Sequence, residues 1–341
     1  MAFFIEKKDS SAIPEHMLEE NQLPNENNLA LFTAALDGDF ERVKSAVKAG
    51  AKPNYFHRPA DGATSMHAAS RSSTIEASQI MNYLFVHGGC LDAKMITNHN
   101  TPLHEAIMHS NKSTVEALLD AGAAFVPNSF GNTPLHLAVQ QGNIQIALLL
   151  LAKKHPVDCK NNRGMTALHI CCNLCEEKVT TPGAGGVAAP VAAAMNPESY
   201  LKLAGALILY GCPLDEVDAN RYTALHAAAS RGNLDMVQLL VDSGCDITIK
   251  SFMQLTETKV VERTAQQVAT LNSHVSVEAY LEGCEKKRQF GSLIPTNVHV
   301  SKWTKGVITA AKIRSGQKEN EKTVNVAVGS AANVVKTRAK V

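Results

Sequence analysis

The sequence predicts an all-α repeat array: short helix–turn–helix units stacked side by side, joined by β-hairpin loops and followed by a basic C-terminal extension. Three observations carry it. The run Asn100-Thr101-Pro102-Leu103-His104-Glu105-Ala106 returns as Asn132-Thr133-Pro134-Leu135-His136-Leu137-Ala138, as Thr166-Ala167-Leu168-His169 and as Thr223-Ala224-Leu225-His226, with a weaker copy at Thr64-Ser65-Met66-His67. Each copy precedes a second apolar run closing on Gly and a small residue, as in Leu118-Leu119-Asp120-Ala121-Gly122-Ala123. The intervals between the threonines are 37, 32, 33 and 57 residues, a period of 33 with four extra residues in one unit and 24 in another.

Each element follows from its residues. Thr101 and Thr133 are helix N-caps, and Pro102 and Pro134 sit at the first helical position, where a missing N–H costs nothing. Leu103, Ala106 and Ile107 recur at i, i+3 and i+4 and make one apolar face; Val115, Leu118 and Leu119 do the same for the second helix. Gly122, Gly211 and Gly244 suit the left-handed residue that ends a helix. Two such short helices cannot bury their faces alone, so stacked neighbours complete the core.

The Thr-Pro-Leu-His-x-Ala run at this period resembles the ankyrin repeat family. The resemblance covers about seven units over residues 28–284. It includes a degenerate first copy around Leu29–Ala35 and a degenerate last one at Thr264-Ala265-Gln266-Gln267-Val268-Ala269. It implies a curved ankyrin solenoid whose concave face recognises a protein.

Interruptions and ends divide the rest of the chain. Residues 1–27, with Glu6, Asp9, Glu15, Glu19, Glu20 and Glu26, read as a mobile acidic arm. The insertion near 176–199, including Thr181-Pro182-Gly183-Ala184-Gly185-Gly186, reads as a flexible loop between the helices of the fifth unit. Between Thr223 and Thr264, β-branched residues at 247–250 and 259–262 suggest a long hairpin turning around Met253–Thr258. Residues 285–341 form a basic extension carrying a net +9, against −8 for the remainder and +1 overall. There Ser301 starts a helical pattern to Arg314 with Trp303 and Val307 on one face and Lys305 and Lys312 opposite, suited to docking an acidic surface such as a microtubule or a ribonucleoprotein.

The motifs offer little chemistry. No apolar run approaches the ~18–20 residues of a membrane span, and the start does not read as a secretory signal, so the eight cysteines are expected to be reduced. His67, His104, His136, His169 and His226 fall one repeat apart, roughly 10 Å, too far to share a metal, and are read as structural hydrogen-bonding groups. His104 and His109 are five residues apart and project from different sides of a helix. Cys172-Asn173-Leu174-Cys175 beside Cys171 is the one cluster that suggests a thiol or zinc enzyme. Cys171 and Cys172, however, stand where the repeat has alanines, while Cys90, Cys212 and Cys245 stand where it has a small residue after Gly. Asn111-Lys112-Ser113 is a formal glycosylation sequon expected to stay unmodified. Neither a catalytic constellation nor a cofactor or metal site is expected. The expected function is a non-enzymatic, cytoplasmic interaction scaffold or adaptor, part of a larger assembly. Its partner contacts are placed at hairpin tips and the open side of the first helices: His109, Phe130, Gln140, Asn162, Arg163, Arg221, Tyr222 and Arg231. The other reading is a nucleic-acid-associated accessory protein acting through the basic extension.

Overall fold

The computed structural model describes residues 26–56, 62–175, 197–256 and 259–289. The acidic arm before Glu26, most of the insertion, and Trp303, Lys305, Val307 and Lys312 of the extension lie outside the described residues.

Seven helix pairs follow one another. They are α1 (Glu26–Asp37) with α2 (Phe40–Lys48), α3 (Ser65–Arg71) with α4 (Ala77–Val86), α5 (Pro102–Met108) with α6 (Lys112–Asp120), and α7 (Pro134–Gln140) with α8 (Ile144–Ala152). Then come α9 (Ala167–Leu174) with α10 (Pro197–Leu209), α11 (Ala224–Ser230) with α12 (Leu234–Asp242), and α13 (Ala265–Leu271) with α14 (Val275–Gln289). First helices pack on first helices and second on second, each only against the adjoining repeats. Neighbouring first helices pack more closely on one another than neighbouring second helices do.

The sequence periodicity dictates this packing. Leu103, Ala106 and Ile107 of α5 and Val115 and Leu118 of α6 are fully buried, as are Ala138, Val139, Ile146 and Leu150 one repeat on. Fully burying each large aliphatic contributes roughly 1.5–3 kcal/mol, and these side chains fill the seams between repeats as well as the space within them. The second helices start at asparagine caps: Asn111, Asn143 and Asn233 accept from Thr114, Ile146 and Met236 N–H. The sequon asparagine Asn111 is thus a cap, and its amide also donates to the Ser72 carbonyl.

A polar thread crosses every seam from repeat two to repeat seven. The N–H of Thr64, Thr101, Thr133, Thr166 and Thr223 donates to Nδ1 of the histidine three residues on, at 3.1–3.2 Å. Nδ1 is therefore an acceptor and Nε2 carries the proton. Nε2 donates to the carbonyl just before the next repeat's threonine. The pairs are His67 to Asn100 (3.0 Å), His104 to Asn132 (3.2 Å), His136 to Met165 (3.0 Å), His169 to Tyr222 (3.0 Å) and His226 to Arg263 (3.1 Å). In the seventh repeat Gln267 replaces the imidazole and accepts the Thr264 N–H at 3.1 Å. The histidines are hydrogen-bonding groups, as their spacing implies.

Several boundaries move. Among the described residues the first helix spans Glu26–Asp37 and the last Val275–Gln289. The insertion does separate the two helices of repeat five, but residues 197–199 already belong to α10. The long hairpin is β1 (Ser251–Thr256) paired antiparallel with β2 (Lys259–Arg263), Ser251 opposite Arg263 and Met253 opposite Val261. The stretch expected to turn at Met253–Thr258 is strand as far as Thr256, and 247–250 is not strand but a turn at 247–248 and irregular chain after it, anchored by buried Ile247. Phe252 N–H donates to the Asn220 carbonyl of the preceding hairpin at 2.9 Å, which ties the start of β1 to the neighbouring tip.

Candidate functional site

The hairpin tips are built by one device repeated. Asn128 Oδ1 accepts from Phe130 and Asn132 N–H, Asn161 Oδ1 from Arg163 and Met165 N–H, and Asp218 Oδ1 from Asn220 and Tyr222 N–H, all at 2.8–3.0 Å. Each tip also bonds the next: Ser129 N–H to Asn98 O, Asn162 N–H to Phe130 O, Ala219 N–H to Arg163 O, and Phe252 N–H to Asn220 O, at 2.9–3.1 Å. The tips therefore form one continuous hydrogen-bonded row. The Asn162 amide reinforces it by donating to Ser129 O at 2.9 Å.

Two residues before each repeat threonine the backbone turns left-handed: Gly62, His99, Gly131, Gly164 and Arg221 have φ of 66°, 54°, 73°, 74° and 58°. At Gly131 a Cβ would stand 2.6 Å from the Asn162 nitrogen, so glycine is needed both for φ and for the close approach of the next tip. Arg221 is tolerated because the hairpin that follows is the lengthened β1–β2, whose Phe252 ring lies under the guanidinium at 4.7 Å.

The structure divides the sequence-derived contact candidates into two rows. Phe130, 64% exposed, Arg163 and Asn162 lie at the tips with exposed side chains, and Arg221 beside them is exposed over Phe252. Tyr222 is at a tip too, but its half-buried ring leans on the His226 imidazole at 5.4 Å. His109, Gln140 and Arg231 are exposed at the C-terminal ends of α5, α7 and α11, about 10 Å from the tips along seven-residue helices. Sequence reasoning missed Phe252, Met108 and Ile96, all exposed apolar residues near these rows. Phe252 and Met253 are adjacent apolar residues, so no alternation in β1 marks Phe252 as exposed.

A buried ion pair underlies the tip end of repeats two and three. Arg71 Nε donates to Glu105 Oε2 at 2.7 Å, Asn100 Nδ2 donates to Oε1 at 2.9 Å, and Asn128 Nδ2 donates to Asn100 Oδ1 at 3.0 Å. Burial pushes the Glu105 pKa up, but the Asn100 amide and the Arg71 guanidinium outweigh it and hold the carboxyl below its usual range. The only hint in the sequence is an acid where the other repeats carry Leu137, Ile170 or Ala227.

The geometry opposes thiolate chemistry. Cys171, Cys172 and Cys175 are buried, and burial raises all three thiols, Cys175 to about 11. Cys171 donates to the Tyr200 carbonyl, and Cys175 sulfur receives the Asn233 amide at 3.0 Å. Cys90 and Cys245, expected to be buried small residues, are only half-buried. His104 is buried and His109 exposed, so the two face opposite environments. Among the described residues no helix is long and apolar enough to cross a membrane.

A family model described as three copies of the ankyrin repeat matches residues 31–128, 123–181 and 191–289. The chain belongs to the ankyrin repeat family. This ankyrin repeat chain is 31% identical over 210 residues to the B-cell lymphoma 3 protein homolog of Mus musculus, covering 56% of this chain and 46% of that one. It is 26% identical over 330 residues to the NAD-dependent deacetylase sir2B of Dictyostelium discoideum, covering 82% and 40%. The chain thus spans less than half the length of either relative. The solved ankyrin repeat domain of human ASB11 superposes with a TM-score of 0.55 at 22% identity, covering 74% of this chain and 96% of that one, which shows the shared fold. Ankyrin repeats are in general protein-interaction modules.

Proposed function

We propose that this ankyrin repeat chain is a non-enzymatic scaffold or adaptor of the cytoplasm, holding a protein partner along its tip row and first-helix face within a larger assembly. The observation that carries this is the tip row: a rigid, hydrogen-bonded line from which Phe130, Arg163 and Arg221 project although no packing within the array requires them. Aromatic and Arg side chains on a pre-ordered backbone are the usual anchors of interfaces, because little entropy is lost in fixing them. The burial of the Cys171, Cys172 and Cys175 thiols, which raises their pKa, favours a binding role over a thiol enzyme. The sequence of 285–341, with its +9 charge and Trp303, supports a second contact with an acidic surface through the basic extension.

A photo-crosslinking amino acid placed at position 130, and at position 153 on the second-helix side as control, tests this reading. Crosslinked protein adducts in cells at 130 and none at 153 are expected. Equal yields at the two positions refute the tip row as the partner face. Truncation after Gln289 should reduce assembly size on gel filtration of lysate, and an unchanged elution refutes docking by the extension.

A further inference from the structure

We infer that the tip row of repeats three to six takes an extended acidic peptide segment, with carboxylates three residues apart following an aromatic anchor; this rests on the partner-face reading above. The array is acidic overall, residues 28–284 carrying a net −4, yet Arg163 and Arg221 stand exposed at its tips. Arg163 and Arg221 are exposed on neighbouring tips, and no carboxylate among the described residues pairs with either. Carboxylates on the same hairpins are engaged elsewhere. Asp218 faces inward and accepts two backbone N–H bonds, and Glu262 pairs with Lys250 at 3.2 Å. Two guanidiniums are thus left available to an outside anion, flanked by the exposed Phe130 ring on one side and Phe252 on the other.

The spacing sets the ligand's pattern. Successive tips are joined by single backbone hydrogen bonds and follow the helix stack at about 10 Å per repeat. A peptide extended as a polyproline II helix rises ~3.1 Å per residue with about three residues per turn, so every third side chain lies on one face and one tip corresponds to about three peptide residues. An apolar residue over Phe130 then places acidic side chains opposite Arg163 and Arg221 at positions three and six residues farther on. A guanidinium fork matches a carboxylate in two parallel hydrogen bonds, which makes Arg and acid the specifying pair here.

Arg221 offers an unusual control. Its φ of 58° is the conformation for which the sister tips use Gly131 and Gly164, so Arg221→Gly removes the guanidinium without straining the turn. The probe is a fluorescein-labelled ten-residue peptide with Phe first, Glu fourth and seventh, and Gly and Ser elsewhere; the control peptide carries Lys at both acidic positions. Anisotropy against the full chain should show at least tenfold tighter binding of the Glu peptide. Arg163→Gln with Arg221→Gly should remove that preference while the melting temperature holds, and Arg163→Glu with Arg221→Glu should transfer it to the Lys peptide. Equal binding of the two peptides, or a Glu preference that survives the double variant, overturns the inference; the latter would assign the charge recognition to the basic extension. If position 130 still crosslinks a partner and that partner is indifferent to the double variant, the peptide inference falls and the scaffold function stands. If position 130 crosslinks nothing, the scaffold reading falls instead.

Discussion

Acid should dismantle the array from its seams, and the histidine thread sets where. Burial lowers the imidazole pKa of His67 and His104 from 6.5 to about 4, and lowers those of His136, His169 and His226 as well. His155, buried against Phe125, also falls to about 4. A depressed imidazole pKa means that the unfolded chain binds protons first. Stability is therefore flat above pH 6.5, is lost as pH falls through 6.5 toward 4, and changes no further through these groups below that. At ~1.4 kcal/mol per pH step, each of His67, His104 and His155 forfeits about 3 kcal/mol across the window, together on the order of the whole stability of a domain. Protonation also puts a second donor at Nδ1 facing the threonine N–H, so the cap and the seam are lost together. The assay is urea unfolding followed by circular dichroism at half-unit steps from pH 8 to pH 4. Repeat seven supplies the matched control, since Gln267 makes the same cap without titrating. His104→Gln should shrink the slope by about one proton, ~1.4 kcal/mol per pH unit. A midpoint that stays constant between pH 7 and pH 5 would refute the reasoning, because it would mean that the imidazoles are as accessible in the folded as in the unfolded chain.

Other outcomes follow from burial. Leu135→Ala, at a side chain 1% exposed, should cost ~2–5 kcal/mol in chemical denaturation, while Phe130→Ala stays within ~0.5 kcal/mol; a Phe130→Ala loss above 2 kcal/mol would place that ring in the core. Arg71→Ala should cost ~3–5 kcal/mol by leaving Glu105 buried and unpaired, and Arg71→Met with Glu105→Leu should restore most of it, as read by melting; no rescue would argue that Asn100, not the charge, is what is lost. Replacing 176–196 by a short Gly-Ser link should shift stability by no more than ~1 kcal/mol, since loop length enters only logarithmically; a melting shift above ~5 °C would contradict this.

The fold was legible because it is written in local, repeated signals. Thr101, Pro102, Leu103 and His104 each have one physical task, and the same task recurs at Thr133 and Thr223, so period and identity reinforce each other. Where the period breaks, the reading slipped. The hairpin reverses within the expected Met253–Thr258, but its first strand lies at 251–256 and not at 247–250, and its start is tied to a partner outside the hairpin, the Asn220 carbonyl. The tips were legible as positions but not as a charge pattern, since whether Arg163 and Arg221 are left unpaired depends on Asp218 turning inward and Glu262 finding Lys250. Glu105 was overlooked for a related reason: its partner Arg71 lies 34 residues away, one repeat back, and only stacking brings the two together.

In polymer terms, the imidazole thread gives this chain a grammar of initiation, propagation and termination. Repeats three to six each receive a hydrogen bond from behind and offer an identical one ahead, so any such unit joins any other with its seam intact. Lengthening by a whole 33-residue block between two of them leaves every donor matched to an acceptor, whereas adding part of a block strands an imidazole at each side. Repeat one has neither the threonine nor the histidine and cannot pass a bond forward, and repeat seven, with Gln267, closes its own cap. The end units thus mark where the array stops growing, and the number of units between them is the one dimension that can change without a new solution to folding.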